Sequence, residues 1–481
     1  MRLRTVLLTA LIALGCFGSF PRPADAQGQP FDPQGKWLGT LNASGMELRV
    51  VFNITKNPDG SFKATLDSPD QGAKDIPVDS VKVEGDKLSL EAKALRMTYA
   101  GTYDPAAGQI TGTFTQVVSM PLNLKKVEKV PELARPQTPK PPYPYLEEQV
   151  SYENAAAGIK LAGTLTEPKT GGPFPAALLI TGSGPQDRDE TLFGHKPFKV
   201  IADDLTRAGL AVLRVDDRGV GGSTGSAATA TSEDFAGDVR AGIAFLKGRK
   251  DIDSRRIGLI GHSEGGIIAP MVAAGSPDVA FIVLMAGTGV TGERILYEQG
   301  ALIARAEGAS EAAIQKTLEF QKKAFAAIKE SKDPKLAEEK LKPILAEGYQ
   351  ALSEDEKKAA GSEDLWVKGQ LTALNSPWMR FFLTYDPKAT LAKVHCPVLA
   401  MGGSLDLQVP AEENLKAIGD ALKAGGNTRY QIALLNGLNH LFQKAKTGGV
   451  SEYAKSEETI SPEALDLMRE WILRVTGLKQ K

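Results

Sequence analysis

Histidine and cysteine are scarce in this chain, with four and two among 481 residues. His195, His262, His395 and His440 stand far apart, as do Cys16 and Cys396. None has the close spacing that holds a metal. A dinucleotide fingerprint and a Lys-Ser/Thr phosphate loop are also missing, so no metal and no organic cofactor are expected. Charge imbalance is lacking too: 57 basic residues face 58 acidic ones, for a formal net charge of −1. That balance gives no electrostatic footprint for nucleic acid and no strong pull toward an anionic membrane surface. The apolar run from Val6 to Phe20 falls short of the roughly 20 residues that span a bilayer. Stable membrane insertion of the mature chain is therefore not expected. The composition is 42% hydrophobic and 24% charged, that of an ordinary globular protein, and the length exceeds one typical domain.

What is present begins with a leader. Met1-Arg2-Leu3-Arg4 is basic, the apolar run follows, and Ala24-Asp25-Ala26 offers a small-residue cleavage site. Residues 1–26 are expected to be a signal peptide, with an exported mature chain, periplasmic or secreted, beginning near Gln27. The rival reading is a lipoprotein anchored through Cys16, but Ala13-Leu14-Gly15 matches the usual lipobox poorly. Removal of the leader leaves Cys396 alone and excludes an intrachain disulfide. Beside an apolar strand, Cys396 reads as a buried, inert thiol.

Residues 27–130 carry period-two alternation. Leu48, Val50, Phe52 and Ile54 alternate with Glu47, Arg49, Val51 and Asn53, and Phe62, Ala64 and Leu66 repeat the pattern. Turn residues such as Asn57-Pro58-Asp59-Gly60 separate the short runs. This predicts an all-β domain, a small barrel or sandwich. It contains neither His nor Cys. Two roles stay open for it: lipocalin-like ligand binding, or docking and stabilisation. The proline-rich residues 131–146 read as a stiff extended linker.

From 147 to 481 the rhythm changes. Two opening strands (147–152 and 159–165) precede strands near 176–181, 211–215, 257–261, 280–285, 397–401 and 429–435. Helical patterns at Lys199–Ala208 and Asp234–Lys247 fall between them. That order predicts an α/β fold, a doubly wound, mostly parallel sheet. More than a hundred residues rich in Ala, Lys, Glu and Leu interrupt it after Met285. They predict a helical insertion at about 288–390. Trp366, Trp378, Met379, Phe381, Phe382 and Tyr385 cluster toward its end, either lining an acyl pocket or packing the insertion's own core.

The chemistry sits where the strand Arg256–Ile260 runs into Gly261-His262-Ser263-Glu264-Gly265-Gly266 and then an apolar helix. Strand, tight Gly-x-Ser-x-Gly turn and helix form the nucleophile elbow, which projects the Ser hydroxyl above the sheet. The helix start supplies N–H groups and a positive dipole end for a developing oxyanion. A serine hydroxyl needs a base to take its proton. In folds carrying this elbow the order along the chain is Ser, acid, His. His195 and His262 fail that order, and His395, in Val394-His395-Cys396-Pro397, reads as a satisfied structural residue. His440 follows a strand on a Gly-containing loop and is the expected base. Asp406, after the apolar run Pro397–Met401, is the expected acid, at the strand edge where open sheets build their sites. It would hold the imidazole in one tautomer. Asp217-Arg218 and Asp187-Arg188-Asp189 read as loop braces. Glu264 stays open between a substrate amine and an Arg partner.

These motifs, with Gly182-Ser183-Gly184-Pro185-Gln186-Asp187-Arg188-Asp189, Asp216–Gly225 and Asn439-His440, resemble the α/β-hydrolase superfamily. The resemblance covers roughly 147–481 and is nearest to bacterial secreted esterases and serine aminopeptidase-like hydrolases. It implies two oxyanion donors: the Glu264 amide and one from the loop after the strand ending at Ile180. Counting by the family's His-Gly-x pattern, in which Thr181 replaces the His, puts that donor at Ser183, with Gly184 second. The insertion then implies a cap over the nucleophile. The expected function is a serine hydrolase cleaving carboxylic esters or related small acyl compounds through an acyl-enzyme. The alternatives are an aminopeptidase-like peptidase and, from another class, a non-catalytic ligand-binding protein on a hydrolase scaffold. The fold alone does not choose among substrates.

Overall fold

A computed structural model describes residues 31–478, apart from 44–45, 72, 117–118 and 132. The expected leader, with Cys16, lies outside the described residues.

The alternating N-terminal segments form nine antiparallel strands: β1 Gly35–Ala43, β2 Met46–Lys56, β3 Phe62–Ser68, β4 Ala73–Val78, β5 Ser80–Glu84, β6 Lys87–Ala92, β7 Met97–Asp104, β8 Gln109–Thr115 and β9 Ser119–Val127. The sheet order is β4-β3-β2-β1-β9-β8-β7-β6-β5. At the seam β3 comes to lie beside β5, which curls the sheet toward a barrel. The inward residues of the alternation meet inside it. Trp37, Phe52, Leu88, Tyr99, Ile110 and Leu122 are all buried in one cluster. The Tyr99 hydroxyl donates to the Leu122 carbonyl at 3.1 Å. It also occupies the room that side chains at Gly101 and Gly112 would need, since a Cβ there would lie 2.6 and 2.5 Å from it. Among the described residues these inward side chains pack on one another. Val51, which the alternation places on the outer face with Glu47 and Arg49, is also fully buried. β2 also lies beside Val450–Lys455 of the second sheet's unit, with Leu48 packed against Val450 and Tyr453.

The proline-rich stretch is more than a spacer. Arg135 donates to the carbonyls of Phe193, Ala454 and Ser456. Gln137 bonds both Thr459 and Ile460. Proline spacing reports stiffness, but it gives no sign of these long-range bonds.

The second sheet has eight strands: β10 Leu146–Asn154, β11 Ile159–Glu167, β12 Phe174–Ile180, β13 Ala211–Val215, β14 Ile252–His262, β15 Phe281–Met285, β16 Val398–Gly403 and β17 Tyr430–Leu435. Their order is β10-β11-β13-β12-β14-β15-β16-β17, parallel from β13 onward. Every residue of β12, β15 and β16 is buried, as expected for central parallel strands covered on both faces. Helices α1 (Pro197–Arg207), α2 (Ser232–Lys247) and α3 (Gly265–Gly275) follow β12, β13 and β14. A capping box between Thr231 and Asp234 starts α2. Helices α4 (Gly292–Ala306), α5 (Glu311–Lys329), α6 (Pro334–Gln350), α7 (Glu354–Ala360), α8 (Glu363–Leu374), α9 (Pro377–Thr384) and α10 (Pro387–Leu391) occupy the interval between β15 and β16. Then α11 (Ala411–Ala424) and α12 (Pro462–Thr476) complete the layers. Residues of α2, α3 and α11 pack one face of the sheet, and those of α1 and α12 the other. The chain is thus a doubly wound, mostly parallel α/β sheet with a helical insertion, preceded by a small all-β unit. Among the described residues no helix is long and apolar enough to cross a membrane.

Truncating the core of the first sheet tests its packing. Phe52→Ala, at a fully buried position, is expected to destabilise by about 3–5 kcal/mol. The check is a lower midpoint in denaturant unfolding; an unchanged midpoint would contradict that packing.

Candidate active site

The turn between β14 and α3 is set by backbone crowding. A Cβ at Gly261 would lie 2.0 Å from the Gly265 carbonyl oxygen, and one at Gly265 would lie 2.2 Å from the Ile180 oxygen. A Cβ at Gly266 would reach 2.6 Å from the Gly287 Cα. These neighbours are main chain and cannot swing aside. Ser263, between them, adopts φ +52°, the left-handed region that costs a non-glycine residue roughly 1–3 kcal/mol. Its amide donates to the Met285 carbonyl at 2.8 Å, which anchors the turn to β15.

Asp406 follows β16, as its place in the sequence suggests. The amides of Gln408 and Val409 both donate to Oδ1 at 2.8 Å. Oδ2 accepts from Nδ1 of His440 at 2.8 Å. Both side chains are buried. The His440 loop is tied by Asn439, whose Oδ1 accepts the amides of Leu441 and Gln443. The structure therefore brings Asp406 and His440 into contact. With Nδ1 engaged, Nε2 is left for the cavity that Ser263 and Ser183 also line.

The loop after β12 has an internal clamp. Glu190 Oε1 accepts the Gly182 amide at 2.7 Å and His262 Nδ1 at 3.0 Å. Asp217 accepts the Thr181 hydroxyl and the Gln186 amide, each through one oxygen. Burial pushes the Asp217 carboxyl up to about 7 against those two bonds, with Glu190 and Glu264 nearby adding to the rise. Arg188 forks onto Asp216 at 3.0 and 2.6 Å, and Arg218 pairs with Asp238 at 2.8 Å. The charged turns read as loop braces do form ion pairs at Arg188, Asp189 and Arg218, whereas Asp217 is held by neutral donors instead.

Glu264 has no Arg partner among these contacts. Its Oε1 accepts from the Ser232 hydroxyl at 2.5 Å and from the Trp378 indole at 2.8 Å. Burial raises its pKa, against those two bonds. Trp378 lies on α9 of the insertion, so a buried carboxylate ties the inserted helices to the elbow. The cavity over Ser263 has an apolar wall of Ile267, Ile295, Leu296, Trp378, Phe382 and Val409. Of the aromatic cluster, Trp378 and Phe382 reach this wall, while Trp366 and Met379 pack the insertion's own core.

His395 departs from its reading as a satisfied side chain. It is exposed, and its carbonyl accepts from Arg429 at 2.6 Å. The apolar residues around it belong to the strand, not to its ring. His195 is buried against Thr459 at 2.8 Å, and burial with the nearby Arg135 lowers it to about 4. Burial pushes the Cys396 thiol up to about 11, so it is a poor nucleophile. Glu190 and Gln408 escaped the sequence reading. Glu190 follows the charged turn with no motif of its own, and no spacing rule points to either residue.

The family model described as X-Pro dipeptidyl-peptidase (S15 family) matches residues 157–437, more than half of the chain. An esterase of Thermotoga maritima is 38% identical over 113 residues, which are 24% of this chain and 27% of the esterase. The match thus spans little more than a quarter of that relative. An uncharacterized 31.7 kDa Escherichia coli protein is 28% identical over 240 residues, 48% of this chain and 75% of the relative. Among solved structures, a Pyrococcus furiosus esterase aligns with 14% identity over 73% of this chain and 100% of its own, at TM-score 0.43. An alpha/beta hydrolase from Penicillium sp. sh18 aligns with 15% identity over 69% of this chain and 99% of its own, also at 0.43.

The crowding at the elbow makes a direct prediction. Gly265→Ala is expected to destabilise the protein by about 3 kcal/mol, because rigid backbone must move. Gly275→Ala, at the end of the same helix with nothing within 4 Å of the new Cβ, is expected to be neutral or mildly stabilising. Thermal melts of the two variants compare them; equal melting temperatures would refute the argument.

Proposed function

The chain belongs to the X-Pro dipeptidyl-peptidase (S15) family and is a serine hydrolase of the α/β-hydrolase fold; from that premise we propose that it cleaves carboxylic esters or related small acyl compounds on Ser263, His440 and Asp406. The contact of Asp406 with His440 Nδ1, on a cavity shared with Ser263, is the observation that supports this most. Ser263 Oγ attacks the carbonyl carbon while His440 Nε2 takes its proton. The tetrahedral oxyanion is held by the amides of Glu264 and Ser183. Gly182 is already spent on Glu190, and Ser183 lines both cavities at Ser263. The intermediate collapses as His440 returns the proton to the leaving group. Water, deprotonated by the same imidazole, then releases the acid from the acyl-enzyme. Asp406 keeps the proton on Nδ1 and stabilises the imidazolium as it forms.

The apolar wall over Ser263 favours an acyl group without charge. The family description favours a peptidase as a second reading, which calls for a carboxylate facing a substrate amine. Glu264 is the nearest acidic side chain along the chain, and Ser232 and Trp378 already hold it. That arrangement is why esters come first. On the leader pattern of Met1 to Ala26, we place the reaction in the periplasm or outside the cell.

Ser263→Ala is expected to abolish labelling by a fluorophosphonate probe with the fold intact by circular dichroism; a retained label would move the nucleophile elsewhere. Asp406→Asn is expected to lower kcat by about 10³–10⁴-fold with little change in KM, because an amide misorients the imidazole. Steady-state kinetics on p-nitrophenyl acetate measures it. On the mature protein, p-nitrophenyl esters should turn over faster than aminoacyl-anilides; the reverse order would favour the peptidase.

A further inference from the structure

Three parts of the site converge on one buried pair. Glu190 Oε1 takes the Gly182 amide at 2.7 Å and His262 Nδ1 at 3.0 Å. On the far side of the ring, His262 Nε2 lies 3.0 Å from the His440 carbonyl oxygen. Both side chains are only 8% exposed. Gly182 opens the loop that presents Ser183, His262 immediately precedes Ser263, and His440 carries the base. One Glu–His pair therefore joins the oxyanion loop, the nucleophile turn and the base loop.

The protons on the ring follow from its partners. A carbonyl oxygen only accepts, so Nε2 must carry a hydrogen. Glu190 Oε1 already receives the Gly182 N–H, which favours negative charge there. A carboxylate also only accepts, so Nδ1 must carry a hydrogen as well. An imidazole with both nitrogens protonated is a cation. We propose that His262 is an imidazolium paired with the Glu190 carboxylate, and that the two are positioning residues that hold the oxyanion loop and the base loop in register with Ser263. This rests on the assignment of Ser263, His440 and the Ser183 amide above. A neutral ring with its hydrogen on Nε2 would aim a lone pair at a carboxylate oxygen 3.0 Å away in a buried site.

The surroundings agree. The ring is faced by Glu190 from the oxyanion loop, Asp406 from the loop after β16, and the His440 ring at 4.9 Å between centroids. Asp217, at the end of β13, faces Glu190 in turn. Burial by itself lowers the His262 pKa, but Glu190, the His440 carbonyl and Asp406 outweigh it, and the net shift is upward. Glu190 also sits at φ +52°, a left-handed backbone that its two bonds hold in place.

The sign of the pH dependence is set by that direction. A histidine raised in the folded state contributes fully below its ordinary value of 6.5, and the contribution is lost as pH rises through the higher folded value. Deprotonation of His262 breaks its Nδ1 link to Glu190, and with it the tie between the loop at Gly182 and the turn at Ser263. Activity thus has an alkaline limb that belongs to His262.

The test compares the unmodified mature chain with Glu190→Gln, which keeps an acceptor for Gly182 but withdraws the charge. Rates are followed against pH for p-nitrophenyl acetate turnover and for fluorophosphonate labelling. The alkaline limb of Glu190→Gln is expected to move down by about one pH unit or more. Its KM should stay near that of the unmodified chain. A profile lowered in parallel across all pH, or no change, would overturn the proposal. Nitrogen-15 NMR of the unmodified protein at pH 7 reads the ring directly, with four histidines to assign. Hydrogens on both nitrogens of His262 are expected, and a bare Nδ1 would overturn the proposal whether or not the variant folds. Absence of any label on the unmodified chain would instead count against Ser263 itself, and the nitrogen spectrum would still decide the state of the pair.

Discussion

The site depends on a backbone crossing. β12, β14 and the start of α3 approach so closely that Gly261 and Gly265 have no room for a side chain, and Gly266 meets Gly287 in the same way. The chain between these contacts is forced through a left-handed Ser263. Strain of that kind survives only where the surroundings over-determine it. Here the hydrogen bond to Met285 and the burial of α3 against the sheet provide that. The hydroxyl is thereby lifted to the edge where loops from β12, β16 and β17 also end, which is how an open parallel sheet gathers distant residues.

The loops and turns at this edge carry several buried or half-buried carboxyl groups. Each has its donors assigned. Asp406 has two amides and His440, Glu264 has Ser232 and Trp378, Asp217 has Thr181 and Gln186, and Glu190 has Gly182 and His262. A buried carboxylate without such partners would cost several kcal/mol. The donors therefore do two things at once: they offset burial, and they fix the loops around Ser263 and His440. Glu264 extends this to the insertion, since its bond to Trp378 makes the cavity wall part of the same network.

The β unit and the proline-rich stretch act on that network from outside. Arg135 fastens Phe193, in the segment after β12, to Ala454 and Ser456 beyond the His440 loop. Tyr453 from the same segment accepts from Gln408, whose own amide donates to Asp406. The linker is thus tied to segments on both sides of His440.

Local pattern determined a good deal here. Period-two alternation marked the first sheet, apolar runs marked the strands of the second within a few residues, and glycines around one serine marked the elbow. The order of Ser, Asp and His named three residues that the fold gathers on one edge. All of this is legible because periodicity and glycine tolerance are properties of neighbouring residues. Only tertiary structure decided that Glu190 joins Gly182 to His262, that Glu264 answers to Trp378 rather than to an arginine, and that Arg135 is an anchor. It also decided that the ring of His395 faces solvent. Apart from the bond between Gly182 and Glu190, eight positions apart, each of these is a contact between residues tens to hundreds of positions apart, or the lack of one. Such contacts are set by how layers pack and where loops close, which no run of adjacent side chains encodes.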